Sequence, residues 1–368
     1  MSHYSQVKHK LIDTYSQRCL QKLSDTTRTK GPIVQARLSP KDRRFVSQLI
    51  GLVSQVEHYR NPVHLDKALD AVDLAKIYEG VDKREQQKPQ APDSSLQYED
   101  LVVLELLHYF KNHFFKWITK PECPRCTKDG DNIVPQGVTG PPSQNPDGIS
   151  RVEKYRCRTC SVAIEFPRYN SAVKLLETRQ GRCGEWVNCF MLISQAVLGP
   201  EAQMRYVWNN EDHVWCEYYS SGLKRWVHLD PCEAAFDEPS LYTDNWGKAM
   251  SWVVGVNHSY MVDLSHKYIT NSNKTIDKSR VVDNVWAVES TIRLMAFQML
   301  LKYYQLNIEP LSVSKAEKLS LFYYKCLVVY GSELNKSPTS TKSAVTRTAT
   351  TGRQTGGPEW TTARGESG

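Results

Sequence analysis

The chain has 368 residues, 40% of them apolar and 24% charged, with nine tryptophans and a formal net charge of +7. That is enough apolar chain to bury one large core with appendages. It offers no membrane span, because the longest apolar run, LVVLELLHYF (101–110), is broken by Glu105 and His108. Nor does it carry a nucleic-acid footprint: the basic excess is modest, and no dense basic stripe is interleaved with aromatics.

In chain order, the first segment, MSHYSQVKHKLIDTYSQRC, is polar and mixed in charge, unlike a secretory signal. The reading therefore places the protein in the cytosol, or also the nucleus. Residues 1–30 carry an apolar stripe at Val7, Leu11, Ile12, Tyr15, Cys19 and Leu23, which predicts a helix with no local partner. Residues 31–97 read as a helical region closing on the linker KPQAPDSS (88–95). The pattern YEDLVVLELLHYFKNHFFKWI predicts an amphipathic helix over 98–118, and the Gly/Pro/Asn/Asp-rich stretch 127–150 predicts a long loop.

That loop lies between Cys123-Pro-Arg-Cys126 and Cys157-Arg-Thr-Cys160. Two CxxC knuckles can close a structural zinc site with four thiolates, which would anchor a lobe over about 120–165. Two disulfides, or one redox CxxC, are the rival readings. A reducing compartment favours the metal.

GRCGEW (181–186) comes next. Cys183 stands between two glycines where an apolar helical pattern opens, and that pattern stops at Gly199-Pro200. A cysteine at a helix N-terminus has its pKa lowered and becomes a candidate nucleophile; a small buried hydrophobe at a turn is the plainer reading. RYVW (205–208), HVWCEYY (213–219) and KRWVHLD (224–230) then predict strands. A two-residue turn at Ser221-Gly222 would set His213 opposite Asp230, the orienting half of a Cys–His–Asp triad. The same face would carry Trp215, Glu217, Trp226 and His228, as core or as the stacking wall of a sugar cleft. His228 is a competing base, ranked lower because it shares a strand with Asp230. Helical patterns return over 281–331. Residues 336–368 read as a disordered tail, where five cations stand against two carboxylates.

GRCGEWVNCF (181–190), YVWNNEDHVWCEYY (206–219), RWVHLDPCE (225–233), FPRYNSAVKLLETR (166–179) and the two CxxC pairs together resemble the cytoplasmic peptide:N-glycanases of the yeast type, members of the transglutaminase-like superfamily. The resemblance covers about residues 1–335, and the terminal EWTTARGE (359–366) is similar too. It implies an α+β, papain-like catalytic core over 98–335, with a nucleophile helix packed on an antiparallel β-sheet, a zinc-held lobe and flanking helices. The implied reaction is hydrolysis of the β-aspartylglucosamine amide of misfolded N-glycoproteins, with Cys183 as nucleophile, His213 as base then acid, and Asp230 as orienter. Arg205, Trp215, Glu217, Trp226, Glu233 and Trp246 match the family's sugar contacts, and Trp117 would border the cleft and assist the oxyanion. The helix of residues 1–30 would dock on a ubiquitin-shuttle receptor of the proteasome. Asn245 before Trp246, and VDLSHKY (262–268), depart from the family pattern at the cleft rim. A transglutaminase or cysteine peptidase, and a non-catalytic glycoprotein or proteasome adaptor, are the alternatives.

Overall fold

A computed structural model describes Thr14, residues 38–87 and residues 96–303. The segment 1–30 (Thr14 apart), the linker 88–95 and the tail 336–368 lie outside the described residues. Three helices open the described chain: α1 (Pro40–Glu57), α2 (Pro62–Ala71) and α3 (Leu74–Gln87). Ser39 caps α1 in a capping box with Asp42, ahead of Pro40 in the first turn. Leu49, Ala68 and Ile77 lie in the same continuous core as Val187 and Val207, so these helices share one body with the strands that follow.

Helix α4 (Tyr98–Tyr109) is shorter than the pattern predicts, and it is buried on nearly every side rather than amphipathic. The aromatics Phe110, Phe114 and Phe115 continue the apolar run without continuing the α-helix. Phe110–Phe114 forms a π-type turn, and Phe110 and Phe115 meet Trp186 edge-on, with ring centroids 5.4 and 5.3 Å from it. Strand β1 (Lys116–Trp117) follows and pairs in parallel with β5 (Gln180–Gly181).

The predicted long loop contains β2 (Ile133–Thr139), which pairs with β3 (Ile149–Cys157), itself paired with β4 (Ala163–Tyr169). Most of β2 is half-buried or exposed and a bulge falls between Pro135 and Gly137, so no alternation marks it in sequence. After α5 (Ala172–Thr178), α6 spans Cys183–Leu198, as its apolar pattern and Gly199-Pro200 predict.

The main sheet has the order β11-β10-β6-β7-β8-β9 and is antiparallel throughout. Its strands are β6 (Met204–Asn209), β7 (His213–Ser220), β8 (Arg225–Asp230), β9 (Ala235–Phe236), β10 (Val253–Val256) and β11 (Met261–Asp263). Helix α7 (Ser265–Tyr268) and helix α8 (Val285–Tyr303) complete the described fold. Helix α6 packs against this sheet, with Val187, Cys189, Phe190 and Ile193 all buried, which gives the α+β layering expected of the catalytic core.

The hairpin register differs from the expected one. Glu217 faces His228 and Ser220 faces Arg225, so the turn holds four residues, Ser221 to Lys224, rather than two. Lys224 takes φ +55°, and the Leu223 N–H donates to Ser220 Oγ at 2.9 Å. The shift is two residues, and strand side chains repeat every two, so His213 and Asp230 stay on one face as diagonal neighbours.

Candidate active site

Arg182 caps α6 and Cys183 is its first helical residue. Gly181 is required by packing: a Cβ there would lie 2.4 Å from Glu185 Cβ. Gly184 faces open space, since a Cβ on it would meet nothing within 4 Å, which leaves the approach to Cys183 clear. Cys183 and His213 line one cleft of about 430 Å³.

His213 Nε2 is 3.0 Å from Asp230 Oδ2, with Asp230 fully buried and His213 nearly so. Nδ1 is then the nitrogen left to serve a thiol. Asp230 Oδ1 accepts the Cys232 N–H at 2.9 Å and the Glu233 N–H at 3.3 Å, while Oδ2 also accepts Tyr242 O–H at 3.1 Å. Burial by itself would raise this carboxyl. The hydrogen bond and charge of His213, with His228 and Tyr242, hold it below the ordinary value.

His228 belongs to the same chain of hydrogen bonds but is not free to act as a base. The Glu238 N–H donates to its Nδ1 at 3.2 Å, so Nε2 carries the proton and faces Tyr242 Oη at 2.7 Å. Burial pulls its pKa down to about 4. Tyr242 therefore relays from His228 to Asp230, a role no local sequence pattern signals.

The expected lowering of the Cys183 pKa by the helix terminus is overturned. Burial pushes the thiol up to about 12, with Asp212 adding to the shift and Arg168 opposing it. The side chain is only 5% exposed, and at that depth desolvation outweighs the partial charge of one helix end. A thiolate here has to form by proton transfer to a neighbouring base.

Beneath the thiol lies a neutral cluster of four buried charges. Arg182 reaches both oxygens of Glu153 at 3.0 and 2.8 Å, and Arg168 bonds Glu153 at 2.8 Å and Glu185 at 2.5 and 2.7 Å. Glu185 Oε2 in turn accepts the Arg182 backbone N–H at 3.0 Å. Burial opposes ionisation of Glu153, but the two guanidiniums hold its pKa down to about 2. The cluster ties the turn into Cys183 to β3 and β4.

The sequence-predicted sugar contacts divide into two groups. Arg205, Trp215 and Glu217 are at most 1% exposed, so the reading of them as direct contacts does not hold in this structure. Glu217 accepts from Arg205, Tyr268 and Lys267 (2.5 Å), and Trp215 stacks on Tyr242 at 4.2 Å. Burial would raise Glu217, but the Arg205 and Lys267 charges hold it down to about 2. These residues form a framework behind the site. Trp226, Glu233 and Trp246 keep partial exposure; Trp226 lies over the Arg205 guanidinium at 4.1 Å, and Trp246 lies edge-on to His213 at 5.1 Å. The Trp117 N–H donates to Thr119 Oγ1 at 3.2 Å, and Trp117 pairs with Gly181, two residues before Cys183.

The four predicted metal ligands converge. Sγ–Sγ distances are 3.4 Å (Cys123–Cys160), 3.6 Å (Cys126–Cys157) and 3.8 Å (Cys126–Cys160), and all four sulfurs lie within 4.8 Å of one another. A tetrahedral ion with bonds of about 2.3 Å separates its sulfurs by about 3.8 Å, whereas a disulfide needs about 2.0 Å. Each knuckle folds alike: Thr127 and Ser161 take φ +54° and +57°, and their N–H groups return to Cys123 O and Cys157 O, both at 2.9 Å. The donor set fits a metal ion and not two bridges.

The depressed His228 and His258 (about 4, set by burial and then by Arg60 for His258) fix a pH dependence of stability. Below the unfolded value near 6.5 the unfolded chain takes up protons that the folded chain refuses, so stability present above pH 6.5 is lost as pH falls toward 4. For fully buried His228 the loss is about 3 kcal/mol. Urea midpoints measured between pH 7 and 5 fall in the parent, and fall less in His228→Gln.

Family models match residues 133–231 (transglutaminase-like superfamily) and 202–319 (Rad4 transglutaminase-like domain). The fold, the cleft lined by Cys183 and His213, and these matches together define a transglutaminase-like protein. A Debaryomyces hansenii protein named peptide-N(4)-(N-acetyl-beta-glucosaminyl)asparagine amidase is 50% identical over 99% of this chain and 97% of its own. Proteins of the same name from Candida albicans (45%, covering 88% and 85%) and Saccharomyces cerevisiae (36%, covering 86% and 85%) match as well. The chain belongs to this amidase family. Among solved structures, a Rad4–Rad23 complex bound to a UV lesion aligns at a TM-score of 0.41 and 12% identity over 78% of this chain and 57% of that one, too low to bear on partners.

Proposed function

We propose that this protein is a deglycosylating amidase that cleaves the β-aspartylglucosamine bond of misfolded N-glycoproteins by thiol catalysis. The observation that carries the reading is the His213–Asp230 pair at 3.0 Å sharing one cleft with Cys183 at the start of α6. His213 Nδ1 takes the Cys183 proton as Sγ attacks the carbonyl carbon of the asparagine side chain. The N–H groups of the first turn of α6, which opens at Cys183, supply the donors for the oxyanion. Collapse breaks the C–N bond, and His213 returns the proton to the departing glycosylamine nitrogen. Water, deprotonated by the same imidazole, then hydrolyses the thioester and leaves aspartate on the peptide.

Trp226, Trp246 and Glu233 are the half-exposed groups suited to hold the sugar arm. Cys123, Cys126, Cys157 and Cys160 would hold a zinc ion, which would supply a structural hub for a lobe with a small core of its own, Ile133, Tyr155 and Ile164 among it. Elemental analysis showing one zinc per chain supports that choice, and iron in its place overturns it. We further assign the segment 1–30, with its apolar stripe at Val7, Leu11, Ile12, Tyr15, Cys19 and Leu23, to a ubiquitin-shuttle receptor, coupling the activity to the proteasome in the cytosol and nucleus.

Incubation of a denatured high-mannose glycoprotein in reducing buffer made with heavy-oxygen water tests the reaction. Intact glycan is released, and one heavy oxygen appears in each new aspartate carboxylate. A zinc-loaded parent that releases nothing leaves the adaptor reading instead. Cross-linked products in place of aspartate would indicate a transglutaminase.

A further inference from the structure

A bond joining sugar to polypeptide has two arms, and they must leave the scissile amide in different directions. Trp226, Glu233 and Trp246 are not among the residues that wall the cleft beside Cys183. Its wall is instead rich in carboxamides: Gln48, Gln55, Asn170, Asn188, Asn209 and Asn210. Three of these hold the wall in place. Asn188 Oδ1 accepts from Tyr59 Oη at 2.7 Å and its Nδ2 donates to the Asn170 carbonyl at 2.7 Å, while Asn209 donates to the Trp252 carbonyl at 3.0 Å and Gln55 to Tyr59 Oη at 2.9 Å. Asn170 and Gln48 are exposed, and Asn210, half-exposed, gives one side-chain N–H to Glu211 Oε1 at 3.0 Å.

We propose that this cleft binds the extended peptide backbone flanking the glycosylated asparagine, through Asn170, Asn210 and Gln48, without regard to peptide sequence. A carboxamide offers a donor and an acceptor in one plane, as a peptide group does, and carries no charge with which to select side chains. The four charged residues of the wall, Arg151, Arg168, Glu185 and Asp212, are two of each sign, and Arg168 is bound to Glu185 at 2.5 Å. The open space over Gly184 lets a backbone pass the nucleophile closely, and about 430 Å³ is room for a short segment. An enzyme for unfolded chains needs such indifference to sequence. The inference rests on the amidase reading above.

Steady-state kinetics on two substrates with the same glycan test it: a long glycopeptide, and a single glycosyl-asparagine capped at both ends. In Asn170→Ala/Asn210→Ala, with an unfolding midpoint matched to the parent, KM for the long substrate rises about tenfold more than KM for the capped one, as two lost hydrogen bonds imply. Equal shifts for both substrates, or none, in an active parent overturn the subsite alone. Parent KM values that vary more than about tenfold with the charge of the flanking residues overturn its indifference to sequence. A parent inert toward both substrates removes the amidase reading and this one with it.

Discussion

Asp230→Asn lowers kcat for glycan release by about 10³–10⁴-fold while leaving the fold intact. The reason is in the two sides of the carboxylate. Oδ1 accepts two backbone N–H groups, from Cys232 and Glu233, so an asparagine oxygen is held on that side. Its NH2 is then aimed at His213 Nε2, which must become an acceptor. The imidazole proton moves to Nδ1, and the nitrogen facing the thiol can no longer take a proton. Burial pushes the thiol up to about 12, so little thiolate forms at neutral pH without that transfer. A loss of less than about tenfold, measured with saturating substrate, would mean that Asp230 merely props the sheet.

Glu153→Ala costs about 3–5 kcal/mol of stability, because it leaves two buried guanidiniums without their shared carboxylate. Arg182 is fully buried, and its remaining partners are neutral: the Ile118 carbonyl at 3.1 Å, the Thr119 carbonyl at 3.0 Å and the Tyr155 hydroxyl at 3.0 Å. Since Arg182 directly precedes Cys183, activity falls along with the denaturation midpoint. Glu153→Gln keeps the shape and loses the charge, so it lies between parent and alanine variant. An unchanged urea midpoint in Glu153→Ala would show that the cluster contributes nothing net.

The parts of this molecule that were legible in sequence are those where one pattern dominates. The α6 pattern from Cys183 to Leu198 is apolar and ends at Gly199-Pro200, so both its bounds could be read. The shared face of His213 and Asp230 could be read because strand faces alternate, even though the four-residue turn moved the register by two. Four cysteines in two knuckles announced their convergence. What stayed hidden depends on long-range pairing. Glu153, Arg168, Arg182 and Glu185 read as surface charges until β3, β4 and the turn into α6 bring them together. Tyr242 looked like any tyrosine, and Arg205, Trp215 and Glu217 looked like a cleft wall although they lie behind it.

The central claim is that Cys183 attacks the asparagine side-chain amide. Its most direct test sets the parent beside Cys183→Ala, both zinc-loaded and equally stable, on one denatured high-mannose glycoprotein in reducing buffer, reading released glycan and the conversion of asparagine to aspartate by mass. The parent releases glycan and converts asparagine to aspartate, and the variant does neither. Glycan release that persists without Cys183 would contradict it.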